Sequence, residues 1–186
     1  PNSVDPLTGR NPGDNTGRYV PVIHWEIASG DELWLDVVPK GGGSEAVAVL
    51  NMPPPGRGIA AVKEAVVDAV LKAGAMPCPP TIVGVGIGGT AELAVAIAKK
   101  QAVLRKIGSV NPDPALAKLE EELYTALNEL GIGVMGMGGK HTVLAVHVDY
   151  AYRHPATYPV AVVFQCWAAR RASISFKPDG TYTITQ

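Results

Sequence analysis

Cysteine is scarce in this sequence. Its 186 residues hold two, Cys78 and Cys166, far apart in the chain. A secreted domain of this size stapled by disulfides carries more, often at close spacing, so a disulfide framework is excluded. Excess charge of one sign is missing too. Sixteen basic residues face seventeen acidic ones, for a formal net charge of −1, and no Lys/Arg run exceeds two. Gripping nucleic acid takes a basic patch or stripe, so nucleic acid is not an expected partner. No apolar run is long enough to span a bilayer, and no charged-then-apolar leader opens the chain. No membrane association is therefore expected, and the cytoplasm is the expected location. No internal repeat is present.

A core is well provided for. Hydrophobic residues make up 47%, which excludes disorder, and the length suits one domain over residues 1–186. Residues 1–18 are rich in Pro, Gly, Asn and Asp and read as irregular. Tyr19–Ile27 and Glu32–Val38, separated by Ser29-Gly30-Asp31, predict a hairpin. Three glycines at Gly41–Gly43 interrupt that sheet before the apolar run Ala46–Met52. Ile59, Val62, Val66, Val67, Val70 and Leu71 share one helical face, with Gly74 as a C-terminal stop. Thr81–Val85 predicts a strand, and Thr90 the cap of a helix from Ala91 to about Arg105. Asp113 and Pro114 open a further helix whose Leu116, Leu119, Leu123, Leu127 and Leu130 face the core. Thr142–Asp149 and Tyr158–Gln165 predict strands, and Arg171–Phe176 and Thr181–Thr185 short edge pieces. Grouped strands and helices of this kind predict an α+β fold: a mixed, largely antiparallel sheet with helices packed on it.

Gly84, Gly86 and Gly89 satisfy G-x-G-x-x-G between a strand and a helix, the pattern of dinucleotide binding. That reading requires a second parallel strand ending in Asp or Glu about twenty residues on. The sequence instead has the turn Gly108–Pro114, where Asp113 is better explained as a helix cap. A plainer reading is that the glycines permit close helix–strand packing, though it leaves unexplained the proline-flanked Cys78 just before them. Two distant cysteines by themselves read most simply as buried free thiols.

Four segments together resemble one family. Lys40-Gly41-Gly42-Gly43-Ser44-Glu45 is similar to the KGGGSE loop of the iron–sulfur-dependent fumarate and L-tartrate hydratases. The run from Cys78-Pro79-Pro80 to Gly88-Gly89-Thr90 resembles that family's CPP…GIGGT segment. His154 through Cys166, with Arg170-Arg171 after it, resembles its closing stretch, and Asn11–Thr16 a variant of its NTGDNT turn. The matches run in the family's order across almost the whole chain.

The resemblance implies a hydro-lyase α subunit that interconverts fumarate and L-malate, with an L-tartrate dehydratase α subunit as the alternative. It implies a 4Fe-4S cluster, with Cys78 and Cys166 as two of its three thiolate ligands. Thiolates are the usual ligands of such clusters, and an iron without a protein ligand acts as a Lewis acid. The family's first cysteine lies upstream of the matched region, so the remaining ligand is expected ahead of Pro1. Gly42, with its neighbours Gly41 and Gly43, is implied to meet the dicarboxylate substrate through backbone amides, since no side chain intervenes. His154 corresponds to the family's histidine near the substrate, is implied to be catalytic, and is expected beside the cluster. A separate β subunit carrying the proton-transfer groups is the implied partner, in a dimer of αβ pairs.

Other residues leave more than one reading. Arg170 and Arg171 either tune the cluster and position substrate or are ordinary surface residues. His24 with Glu26, and His147 with Asp149, each share a predicted strand face and imitate half a metal site, without a third ligand at a convincing spacing. His141 stands in a glycine-rich loop beside Lys140. The sequence departs from the family where Ala46 replaces an asparagine and where Gly17-Arg18 follow Thr16, both in the expected pocket wall. Absence of a third cysteine leaves open a non-catalytic remnant of the same scaffold.

Overall fold

A computed structural model describes residues 2–186. In chain order the elements are β1 (Leu33–Val37), α1 (Gly42–Ala46), β2 (Val49–Asn51), α2 (Gly58–Ala73), β3 (Thr81–Gly88), α3 (Ala91–Val103), α4 (Pro114–Glu129), β4 (Val143–Ala151), β5 (Val160–Gln165), β6 (Ala172–Phe176) and β7 (Tyr182–Thr185). Single 3₁₀ turns occur at Pro55–Arg57 and Val134–Gly136. Two compact units form, one of Pro1–Leu35 with Ser173–Thr185, the other of Asp36–Ala172 with Gln186.

The larger unit is built on a four-stranded sheet in the order β2-β5-β3-β4. β5 runs antiparallel to both β2 and β3, while β4 lies parallel to β3. This is the mixed α+β sheet that the element order predicts. Alternation along the strands divides the side chains between two faces. Val83, Val85 and Ile87 of β3 join Val160, Val162 and Phe164 of β5 in a core with Val62, Val66 and Val70 of α2 and Leu119, Leu123 and Leu127 of α4. On the other face Ala161 and Val163 meet Ala94, Ala98 and Ala102 of α3.

That second face is built from the smallest side chains, and glycine is why α3 can lie so close. A Cβ on Gly84 would stand 2.1 Å from the Ala98 carbonyl oxygen, and one on Gly86 2.0 Å from that of Ala94. Both glycines lie inside β3, so close helix–strand packing accounts for them. The chain then passes from α3 into α4 without a second parallel strand. Asp113 caps α4 as expected, its Oδ1 accepting from the amides of Ala115 (2.8 Å) and Leu116 (3.3 Å).

Burial on α2 is narrower than the predicted face. Val62, Val66, Ala69, Val70 and Ala73 are buried, whereas Ile59 and Leu71 at the edges of the stripe are exposed. A polar network invisible in the sequence ties α4 to β4. Buried Glu120 pairs with Arg105 and accepts from the Val148 amide and from Asn111 Nδ2, each at 2.8 Å.

The smaller unit differs from expectation. Residues 19–27 form no strand, and β1 joins the order β1-β6-β7 instead of a hairpin. Pro21 lacks the amide a ladder needs, and Tyr19 adopts a left-handed backbone (φ 63°), so an apolar, β-rich composition is not enough there. His24 and Glu26 consequently share no strand face.

His147 belongs to the α3 face of β4. It is buried, and its Nδ1 bonds the Gln101 carbonyl oxygen at 3.0 Å, while Gln101 Nε2 donates to Asp149 Oδ2 at 3.3 Å. The pair is thereby engaged with α3. Burial pushes the His147 pKa below its ordinary 6.5.

Two outcomes are expected. Gly84→Ala forces α3 off the sheet and lowers stability in urea melts by about 1–3 kcal/mol, the usual cost of overpacking. For His147 the unfolded chain takes up a proton that the folded chain refuses, so stability is complete above pH 6.5 and falls as the pH drops toward the depressed folded value. Melts between pH 7.5 and 5 check this, and His147→Gln flattens that part of the profile.

Candidate functional site

The antiparallel register of β3 and β5 governs the site. Ile82 is opposite Gln165 and Ile87 opposite Val160. Cys78, just ahead of β3, and Cys166, just after β5, therefore arrive at the same end of the sheet. The Trp167 amide donates to the Cys78 carbonyl oxygen at 3.3 Å, which ties the two cysteine segments directly. Both thiols are free; Cys78 is exposed and Cys166 half-buried.

Local sequence shapes each part. Cys78 lies between Pro77 and Pro79 and holds a left-handed backbone (φ 55°) that costs a residue with a Cβ about 1–2 kcal/mol. Its amide bonds the Ala75 carbonyl at 3.1 Å and its Sγ lies 4.0 Å from the Met76 carbonyl oxygen. The glycine run, expected as a plain loop, forms the first turn of α1. Gly43 abuts the cysteine segment so closely that a Cβ there would stand 2.5 Å from the Met76 carbonyl oxygen, whereas one on Gly42 would meet nothing within 4 Å. Gly41–Gly43 thus stand at the cysteine end, with open space over Gly42.

Around the glycines lies a set of charges that the motif alone does not reveal. Lys40 Nζ donates to Ser44 Oγ at 2.9 Å and pairs with Glu45 at 3.0 Å. Ser44 Oγ donates back to the Gly41 carbonyl at 3.0 Å. Lys99 of α3 reaches Glu45 Oε1 at 2.6 Å. Burial lowers the Lys40 pKa, opposed by Glu45 and by the nearby Cys166. Burial works to raise the Glu45 pKa, but hydrogen bonds from Lys99 and Lys40 outweigh it and hold the carboxyl below its usual range.

A second glycine-rich loop joins this end. The Met135 amide donates to the Pro79 carbonyl at 2.8 Å, and a Cβ on Gly136 would stand 2.5 Å from that of Ala75. The cluster of Gly131, Gly133, Gly136, Gly138 and Gly139 was the available signal. Gln165, immediately before Cys166, is buried with its Oε1 lacking a hydrogen-bond partner. Arg170 is exposed and Arg171 half-buried, and His141 is exposed.

His154 is elsewhere. It follows β4, whose Ala151 is level with Gly88 at the far end of β3. Eight strand residues at about 3.3 Å each put it roughly 20–25 Å from the cysteine end. Strand β5, which lies between His154 and Cys166, runs along β3 from one end to the other, so nearness in sequence is distance in space. His154 is exposed, and its Nδ1 accepts from the Ala156 amide at 3.1 Å, leaving Nε2 to carry the proton of the neutral ring.

Residues 1–175 match the family model described as fumarate hydratase (fumerase). The chain belongs to this fumarate hydratase family. A relative from Methanocaldococcus jannaschii, named "Putative L(+)-tartrate dehydratase subunit alpha", is 45% identical over 181 residues, which are 96% of this chain and 63% of the relative. The L(+)-tartrate dehydratase subunit alpha of Escherichia coli (strain K12) is 38% identical over 182 residues, 97% of this chain and 60% of the relative. A Geobacillus stearothermophilus protein named "Putative fumarate hydratase class I" is 37% identical over 187 residues, 96% of this chain and 36% of its own length. The chain thus spans less than two thirds of these relatives.

For this family member the cysteine end offers two soft donors, reachable from outside and tied through their backbones. Such a pair fits two thiolate ligands of an iron–sulfur cluster. Among the described residues no three His, Cys, Asp or Glu side chains gather as a metal site.

A short bifunctional thiol reagent is expected to bridge Cys78 and Cys166 within one chain, detected as a single internal adduct by mass spectrometry. Cys78→Ser takes up the reagent at one end only. Failure to bridge in the native chain contradicts their adjacency.

Proposed function

We propose that this chain is the cluster-bearing part of the α subunit of a hydro-lyase that interconverts fumarate and L-malate. The observation that carries the reading is the convergence of Cys78, Cys166 and the Gly41–Gly43 turn on one end of one sheet. L-Tartrate is the second reading, favoured by the names of the relatives at 45% and 38% identity.

Cys78 and Cys166 would hold two irons of a 4Fe-4S cluster, with the third thiolate supplied from outside residues 1–186, since the sequence holds two cysteines in all. When bound, that cluster would supply Lewis acidity toward the substrate's hydroxyl oxygen, polarising its C–O bond. The chain's own residues do the rest of the positioning. Backbone amides of Gly41–Gly43 face the substrate carboxylate at close range.

His154 is proposed to donate from Nε2 to the substrate. In the proposed dimer of αβ pairs a second copy of the chain would make this contact, which accommodates its distance from the cysteines. The β subunit carries the groups that move the proton at the carbon next to the hydroxyl-bearing one. Two free thiols suit the reducing cytoplasm, the proposed location. No helix among the described residues is long and apolar enough to cross a membrane.

The test is anaerobic iron–sulfide reconstitution of the complete α polypeptide with its β subunit. A broad visible charge-transfer band is expected, lost in Cys78→Ser and in Cys166→Ser, with turnover falling at least about a thousandfold, as for loss of a whole catalytic group. Residues 1–186 alone are expected to turn over neither malate nor tartrate, and comparing the two in the complex decides between the readings. A band that survives both substitutions sinks the ligand assignment.

A further inference from the structure

Each of the three glycines at the cysteine end lacks a side chain to anchor it, and glycine has the most conformational freedom to lose. Amides that meet a substrate do so effectively only when already held in place. The residues around the run supply that hold. Lys40, before the glycines, reaches over them to Ser44 Oγ (2.9 Å) and Glu45 (3.0 Å) just after them. Ser44, itself buried, closes the ring by donating to the Gly41 carbonyl at 3.0 Å.

Glu45 carries the restraint outward. It takes Lys99 of α3 at 2.6 Å, a contact between residues 54 positions apart. Helix α3 is in turn seated on β3 through Gly84 and Gly86, and β3 is the strand that Cys78 precedes. From below, the Met76 carbonyl leaves no room for a side chain on Gly43. The glycine turn is therefore registered to the cysteine segment twice, once by contact and once by charge.

We propose that Lys40, Glu45 and Lys99 form an ionic bracket that fixes the Gly41–Gly43 backbone beside Cys78 and Cys166, acting as positioning residues for the substrate carboxylate. The proposal rests on the hydro-lyase reading for its last clause only. Without the bracket, the turn moves independently of α3, and substrate binding suffers before chemistry does.

Amide hydrogen exchange of the chain and steady-state kinetics of the αβ complex test it together. Glu45→Gln keeps the side-chain volume and removes both ion pairs. It is expected to speed exchange at Glu45 and Ala48, whose amides bond Gly41 and Glu45 carbonyls, on the order of tenfold, with β3 unaffected. Lys99→Met does the same. Lys40→Met also loosens the turn, and Lys40→Arg, which keeps the charge and two donors, recovers most of the protection. In the complex, Glu45→Gln raises KM about tenfold with kcat nearly unchanged, the pattern of a lost binding contribution. Unchanged exchange in Glu45→Gln overturns the bracket; a fall in kcat at constant KM overturns its role in binding. Absence of turnover in the wild-type complex defeats the hydro-lyase reading instead, and leaves the exchange result to judge the bracket.

Discussion

Strands β3 and β5 pair antiparallel, and the register of that pairing is the constraint on which the rest depends. It carries the end of one strand to the start of another, so that segments remote in sequence meet at Cys78 and Cys166. The same register sorts β3 and β5 into a valine- and phenylalanine-bearing face under α2 and α4 and a glycine–alanine face under α3. A slip by one residue would exchange those faces, setting the branched side chains of β3 against a helix that lies too close over Gly84 and Gly86 to admit them. Two different packings thus enforce one alignment.

Placing the polar groups follows from that alignment. On the α4 side Glu120 satisfies Arg105, Asn111 and the Val148 amide, so a buried carboxylate is fully partnered and helps hold β4. At the cysteine end Glu45 is shared by Lys40 and Lys99 at a partly exposed position. Such a surface network contributes little to global stability. Its location, astride the glycine turn, argues for local order instead.

Two ends of one sheet emerge with distinct character. The cysteine end gathers thiols, glycine amides and lysines on a frame of short hydrogen bonds. At the other end stand His154 and an apolar cleft of about 720 Å³ lined by Ile59, Leu116, Tyr150, Tyr152 and Tyr158 among others. On the proposed function, His154 and the cysteine end meet one substrate only through assembly, which is the part the proposed dimer of αβ pairs would play.

Much was legible from residues alone. Local rules determined the helices, because capping by Asp113 and the leucine repeat of α4 act within a few turns. The order of strands and helices determined the α+β class, and the motifs around Lys40, Cys78 and Cys166 determined the family. Strand partners were not legible where pairing is long-range. Nothing within Tyr19–Ile27 announces that β1 will pair with β6, because strand pairing depends on segments distant in the chain. The turn at Gly108–Pro114 already told against a dinucleotide role for Gly84 and Gly86, but the close approach of α3 that requires them belongs to the tertiary structure. His154 could be read as a neighbour of Cys166 until β5 was seen to separate them. Sequence determines local conformation and chemical type; only the tertiary structure decided which of those groups share a place, because spatial proximity is set by strand register and packing rather than by separation along the chain.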